Sequence, residues 1–416
     1  MLDKENYLKK YVFDWDVIDT VVSGKSPIDS KFFVADINSK EVVNDFLRGY
    51  GLEPSDPIIR AELFGNFQEA LQFIKRYCLK EGNEDGIDLK IPNTIYMITD
   101  IDELFLLAAK KTFLDSTERQ EGLWAEVILK FMHTLLHMDK DLRSNYFSTI
   151  QTQVFDRFYK YIFRDENNSL FLGKKGERDN ISLLDFNTKS KKTRDSVLIK
   201  LLHKPENVAE ELFDRVGVRF ITKNKFDTLR VVRYLLSKNI VIPHNIKPSR
   251  SLNTLFDINS FKVKYNQLIK NALKLKLDES SFVSKVIGLL EEKREEKEAG
   301  RNDHSLSKYR AIHFTGRNLI KYKNPFFSEF LQLRKMAKAD PLESNKLAKK
   351  ILSMDSSLIT KEVKFFYPFE VQILDEKSHL VNTEGEASHQ VYKKNQLRAV
   401  IKRIFGSLME ENQISL

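Results

Sequence analysis

The second half of this chain switches repeatedly between strand-type and helix-type patterning, and few architectures accommodate that. VGVRFIT (216–222), YRAIHFTG (309–316) and VKFFYPFEVQIL (363–374) are short runs rich in β-branched and aromatic residues. Such runs suit strands of a largely buried sheet. Between them DSVLIKLLHK (195–204), KFDTLRVVRYLLSKN (225–239), NPFFSEFLQLRKMAKA (324–339) and ESNKLAKKILS (343–353) carry helical periodicity. Strands interleaved with helices predict an α/β (α+β) class, a mixed sheet flanked by helices. SFVSKVIGLLEEKREEKEAG (281–300) reads as a helix capped by Gly300, and a loop from Ser378 leads into a basic C-terminal helix.

Residues 1–165 read as an all-α domain. In the stretch 62–80, Leu63, Phe67, Leu71 and Ile74 recur on one helical face, and Pro57 and Pro92 mark breaks. Residues 119–164 predict two amphipathic helices that pack through Trp124, Leu129, Phe131, Leu135 and Phe158. The polar segment 165–180 predicts a domain boundary or loop, before an α/β domain over 186–416.

No run approaches the ~18 apolar residues of a membrane span, so no membrane association is expected. The first residues mix both charge signs without an apolar core, so no signal peptide is expected either. The single cysteine, Cys78, excludes an internal disulfide and Cys-based zinc sites, and points to a reducing, cytoplasmic setting. The net charge of +9 is concentrated: residues 186–254 hold fifteen Lys/Arg against six acids, the whole excess. That segment is either a solvated basic face or a surface that handles phosphates.

There is no Walker A sequence, GxGxxG, GxSxG or His-Asp pair. His133 and His137 share a helix face near Asp139, but without an HExxH pattern they read as ordinary core or surface histidines. Asp214 opens one predicted strand and Glu370 lies inside another. Carboxylates fixed by a sheet suit Mg²⁺, which takes one or two of them plus substrate phosphates. The period of two puts Glu370 and Gln372 on one face, with Phe369, Val371 and Ile373 on the other.

Taken together, these residues resemble the synthetase domain of RelA/SpoT-type alarmone synthetases, whose core is nucleotidyltransferase-like. That family's D-x-x-G-x-R strand is matched by Asp214, Gly217 and Arg219. Its Y-[QR]-S-[IL]-H strand is matched by Tyr309-Arg310-Ala311-Ile312-His313, and its E-[VI]-Q-I by Glu370-Val371-Gln372-Ile373. His379 follows at the family's spacing, as do Gly385, Ala387, His389, Tyr392 and Lys393. Lys192, Ser196 and Lys200 fit its K-x-x-x-S-x-x-x-K spacing. The resemblance covers under half of the chain and leaves insertions near 255–304 and 317–362. Ser307 and Lys308 stand where the family has Asn and Gly; Ser190 and Leu374 stand where it has Arg.

The resemblance implies Mg²⁺-dependent transfer of pyrophosphate from ATP to the 3′-hydroxyl of a guanine nucleotide, GDP or GTP. Asp214 and Glu370 would be the catalytic and metal-binding carboxylates. Lys192, Arg194, Lys200 and Arg219 would bind ATP. Tyr309, His313 and Gln372 would line the acceptor side, with Tyr309 stacking on the base. Two other readings stay open: the same chemistry on an adenine nucleotide or a tRNA 3′ end, and a non-catalytic descendant that binds nucleotide or RNA. The C-terminal cations Lys393, Lys394, Arg398, Lys402 and Arg403 would suit RNA phosphates.

Overall fold

In the computed structural model the described residues are 15–23, 26–29, 37–141, 146–177, 179–189, 193–204, 215–291, 309–339, 345–355, 360–384 and 389–415. The first half supplies α1 (Trp15–Val22), α2 (Lys40–Gly49), α3 (Pro57–Phe73), α4 (Asn93–Tyr96), α5 (Ile101–Ala108), α6 (Ser116–Asp139) and α7 (Phe147–Tyr159). Several boundaries have a local cause. Pro57 occupies the first turn of α3, where its missing N–H costs nothing, and the Asp56 carboxylate accepts from the Ile58 N–H. Asp115 caps α6 in the same way, accepting from Glu118.

Strands β1 (Ile162–Arg164), β2 (Leu170–Leu172) and β3 (Ile181–Thr188) follow, then α8 (Arg194–His203), β4 (Gly217–Thr222), α9 (Lys225–Ser237) and β5 (Leu252–Asn253). Next come α10 (Ile258–Leu275), α11 (Glu279–Glu291), β6 (Ile312–Lys323), α12 (Pro325–Ala339), α13 (Lys346–Ser353) and β7 (Glu362–Asp375). Helices α14 (Glu376–Glu384), α15 (His389–Ile404) and α16 (Gly406–Glu411) complete the order.

The seven strands form one mixed sheet in the order β1-β2-β3-β4-β7-β6-β5. Only β4 and β7 run parallel, in register from Gly217 opposite Glu370 to Thr222 opposite Asp375. β6 and β7 pair along twelve positions, from Ile312 opposite Ile373 to Lys323 opposite Glu362. Beyond the sheet proper this pair continues as a two-stranded ribbon that carries α12 and α13 at its far end, which accounts for the insertion near 317–362.

Two cores form. The larger is helical and gathers Phe67, Ile74, Cys78, Leu104, Trp124, Phe131 and Leu135 from the first half. It also takes Val197, Leu198, Leu201 and Leu202 of α8, and Val400, Ile401, Phe405 and Leu408 of α15 and α16. Helices from both ends of the chain therefore share one interior. The second core lies under one face of the sheet, where Val218, Phe220, Phe369, Val371 and Ile373 meet Val154 and Phe155 of α7 and Val231 and Leu235 of α9.

Three sequence expectations are corrected. Phe158 packs not against α6 but against Phe220 and Phe369 of the sheet. The polar stretch 165–180 holds β2, flanked by β1 and β3; β1 and β2 span three residues each, too few to show in the pattern. The loop expected from Ser378 lies largely within helix α14. Gly300, Gly385 and Ala387 lie outside the described residues. Among the described residues no helix is long and apolar enough to cross a membrane.

Candidate functional site

Because alternate residues of a strand face opposite ways, committing Val371 and Ile373 to the core turns Glu370, Gln372 and Leu374 to the other face. The register then decides their neighbours. Parallel pairing sets Gly217 beside Glu370 and Arg219 beside Gln372. Antiparallel pairing sets Thr315 beside Glu370 and His313 beside Gln372. Carboxylate, amide, guanidinium and imidazole thus meet on one patch of sheet, though they come from segments far apart in sequence.

Glu370 is the centre of this patch and is only 6% exposed. Its Oε1 lies 2.5 Å from Nε2 of His313, and its Oε2 is in ion-pair contact with Nζ of Lys189. A buried carboxylate requires such compensation, since an isolated one would neutralise instead. Lys189 arrives from the end of β3, where its N–H donates to the Gly217 carbonyl at 2.8 Å. Gly217 makes the approach possible. A Cβ there would sit 3.1 Å from Lys189 Cδ, 3.1 Å from the Glu370 carbonyl oxygen and 3.3 Å from Glu370 Cβ.

One pleat further along, Arg219 Nε donates to Gln372 Oε1 at 3.0 Å. Its terminal guanidinium nitrogens meet no hydrogen-bond acceptor among the described residues. Tyr309 packs against Ile221, Ala311 and Leu374. Burial pushes its phenol up, with the nearby Arg219 guanidinium pulling in the opposite direction. Leu374 stands where the resembling family has Arg, and here it is 1% exposed beneath Tyr309. An apolar floor therefore replaces a cation at that point.

The structure thus brings Glu370, Gln372, His313, Arg219 and Tyr309 together. It sends Arg194 elsewhere. At the start of α8, the Arg194 guanidinium grips two carboxylates of the first-half helices: Nε lies 2.5 Å from Glu69 Oε1, and Nη2 2.8 Å from Asp139 Oδ2. Asp139 and Glu69 push its pKa up further. Lys200 lies half-buried on the same helix. Asp214 and Lys192 lie outside the described residues. Several cations of the basic segment 186–254 meet acids from outside it, including Arg215 with Asp141, Lys238 with Glu177 and Lys189 with Glu370.

Lys189 is the site residue that sequence reading missed. The available signal was the run of apolar residues in ISLLDFNT (181–188), whose period is broken by a bulge between Leu183 and Asp185; beyond it Lys189 shares the face of Asn187, which pairs with Arg219.

No family model matches the chain, and no curated protein matches it. Among solved structures it is similar to the small alarmone synthetase 1 from Bacillus subtilis at 11% identity. The alignment covers 68% of this chain and 94% of that one, with a TM-score of 0.24.

Proposed function

We propose that this chain transfers pyrophosphate from ATP to the 3′-hydroxyl of a guanine nucleotide, GDP or GTP. The observation that carries the reading is the Glu370–Lys189–His313 cluster on one sheet face, with the Arg219–Gln372 pair one pleat away. It coincides with the motif order read from the sequence. The reaction forms a bond from the acceptor 3′-oxygen to the β-phosphorus of ATP, breaks the bond to the α-phosphate oxygen, releases AMP and frees the hydroxyl proton.

Phosphoryl chemistry of this kind asks a protein mainly for positioning and charge compensation. The terminal guanidinium nitrogens of Arg219 suit phosphate oxygens through charge-assisted hydrogen bonds. Glu370 and His313 share one short contact, so a proton taken from the acceptor hydroxyl at Glu370 Oε1 has a neighbouring imidazole that stabilises the rearranged charge. Tyr309 presents a ring at the end of the patch, where stacking on a base is worth ~1–3 kcal/mol.

Glu370 also fits Mg²⁺. It is a buried hard-oxygen ligand that would exchange its Lys189 contact for the ion, and one or two carboxylates completed by triphosphate oxygens form a donor set that this ion accepts. Asp214 would be its second carboxylate. The ion supplies neutralisation of phosphate charge when bound. The tRNA reading loses support: Lys394 pairs with Asp85, and Arg403 bonds Asp29, Ser26 and the carbonyls of Leu202 and Lys204. Two of the five C-terminal cations are therefore engaged within the chain.

The test is to incubate the full chain with γ-labelled ATP, Mg²⁺ and, separately, GDP, GTP, AMP, ADP and bulk tRNA. Label on GDP or GTP is expected. Label on none of them removes the transferase reading, and label confined to an adenine nucleotide or tRNA replaces the acceptor.

A further inference from the structure

The helix pair at the far end of the β6–β7 ribbon exposes more apolar surface than its own packing uses. On α12, Phe326, Phe330, Leu333 and Ala337 recur along one stripe of the helix, with Met336 beside it. Phe330 and Ala337 are buried, but Leu333 remains 47% exposed and Met336 68%. Helix α13 packs on α12 and repeats the pattern. Its Ala348 is buried, while Leu347 and Met354 stay exposed. Apolar clusters left in water mark interaction sites.

The charge around this surface is one-sided. Residues 317–364 hold eleven Lys/Arg against five acids. Lys335 and Lys338 of α12 and Lys346, Lys349 and Lys350 of α13 are exposed, and none forms an ion pair among the described residues. At 100° per residue, the cations of each helix flank or oppose its apolar stripe. The ribbon continues the theme. Leu319 stands opposite Phe366 and Lys321 opposite Lys364, all on one face. Like charges directly opposite one another cost stability, and Glu362 compensates Lys364 alone. An anionic partner would remove that cost.

Three occupants can be compared on this chemistry. A second copy of the chain would bring the same positive excess against it. A nucleic acid would engage the lysines but leave Leu333, Met336, Leu347 and Met354, which neither stack nor hydrogen-bond, in water. An anionic bilayer surface suits both sets: headgroup phosphates take the lysines, and the acyl boundary takes the Leu, Met and Phe side chains. Seating of this kind lies in the interface plane and needs no spanning helix.

We propose that the α12–α13 unit is a peripheral docking surface for anionic lipid bilayers. It lies outside the Glu370 patch and does not rest on the transferase reading.

The test co-sediments the full chain with vesicles of phosphatidylcholine alone, and of phosphatidylcholine mixed with phosphatidylglycerol, at low and high salt. Binding to the mixed vesicles that salt weakens, with none to the neutral ones, is expected. Leu333→Ser combined with Met336→Ser should weaken binding at least about tenfold, because buried methylenes hold such a surface in the interface. Lys349→Gln combined with Lys350→Gln should weaken it about fivefold per charge removed. All four positions are exposed, thermal melts check folding, and either folded variant suffices. No binding to phosphatidylglycerol vesicles overturns the proposal, as does equal binding to neutral ones or binding that a folded variant leaves unchanged. Sedimentation velocity without lipid and retention of a single-stranded RNA oligonucleotide separate the other occupants. A dimer that Leu333→Ser with Met336→Ser dissociates, or RNA retention, found in place of vesicle binding reassigns the surface and also overturns the proposal.

Discussion

Glu370 and Lys189 form a charge pair that the proposed chemistry depends on, and a double-mutant cycle measures it. The perturbations are Glu370→Gln, Lys189→Met and their combination. Two opposite charges ~4 Å apart at an effective dielectric of ~20 attract by about 4 kcal/mol. Desolvation opposes that gain, and Lys189 keeps 24% of its side chain in solvent while Glu370 keeps 8%. The net coupling is therefore expected near 2 kcal/mol, read from urea unfolding at neutral pH. Each single variant leaves a partly buried charge facing a neutral group and should melt a few degrees lower. The double variant should recover part of the loss, because neither charge then remains unpaired. Transfer activity should behave differently. Glu370→Gln abolishes it and the double variant does not restore it, since stability and catalysis draw on the same carboxylate for separate reasons. Additivity within about 0.5 kcal/mol would refute the pairing. Full activity in Glu370→Gln would refute its role in transfer.

Three further outcomes follow from the geometry. Gly217→Ala places a Cβ 3.1 Å from Lys189 Cδ and 3.1 Å from the Glu370 carbonyl oxygen, so it should cost about 1–3 kcal/mol in urea unfolding and most of the transfer activity. Arg194→Gln removes the clamp on Glu69 and Asp139 and should lower stability by about 1 kcal/mol, with an effect that shrinks in high salt. Tyr309 has its phenol held above the ordinary value by burial. Its contribution is complete below the unfolded pKa of about 10 and is lost as pH rises above it, at up to ~1.4 kcal/mol per pH unit. Tyr309→Phe should flatten that alkaline slope in denaturation series across this range, and an unchanged slope would exclude Tyr309 as its source.

The legibility of this protein in its sequence depended on burial. β4 and β7 are strongly apolar on their core face, so period-two alternation marked them and also assigned Glu370 and Gln372 to the opposite face. Helices α8, α9, α12 and α13 fell within a few residues of their expected ranges because each carries an amphipathic repeat bounded by caps such as Thr193 and Asn224. Strands β1 and β2, at one end of the sheet, span three residues each, too few for a period to register. With them the pattern lost β3, and with β3 the position of Lys189.

Amphipathicity specifies that a face is buried but not against what. Periodicity marked α8 as a helix and the C-terminal helix read as basic, yet only the packed chain seats both in the same interior as Phe67, Trp124 and Phe131. The same limit applies to charge. Sequence alone determined that the excess of nine lies within 186–254, and that Glu370 sits on a sheet face. Tertiary structure decided which cations meet it. Arg194 turned to Glu69 and Asp139, Arg215 to Asp141, and Lys189 reached Glu370 past a glycine that left room for it. Coulomb attraction acts over a few ångströms, and those distances are set by strand register and helix packing rather than by order along the chain.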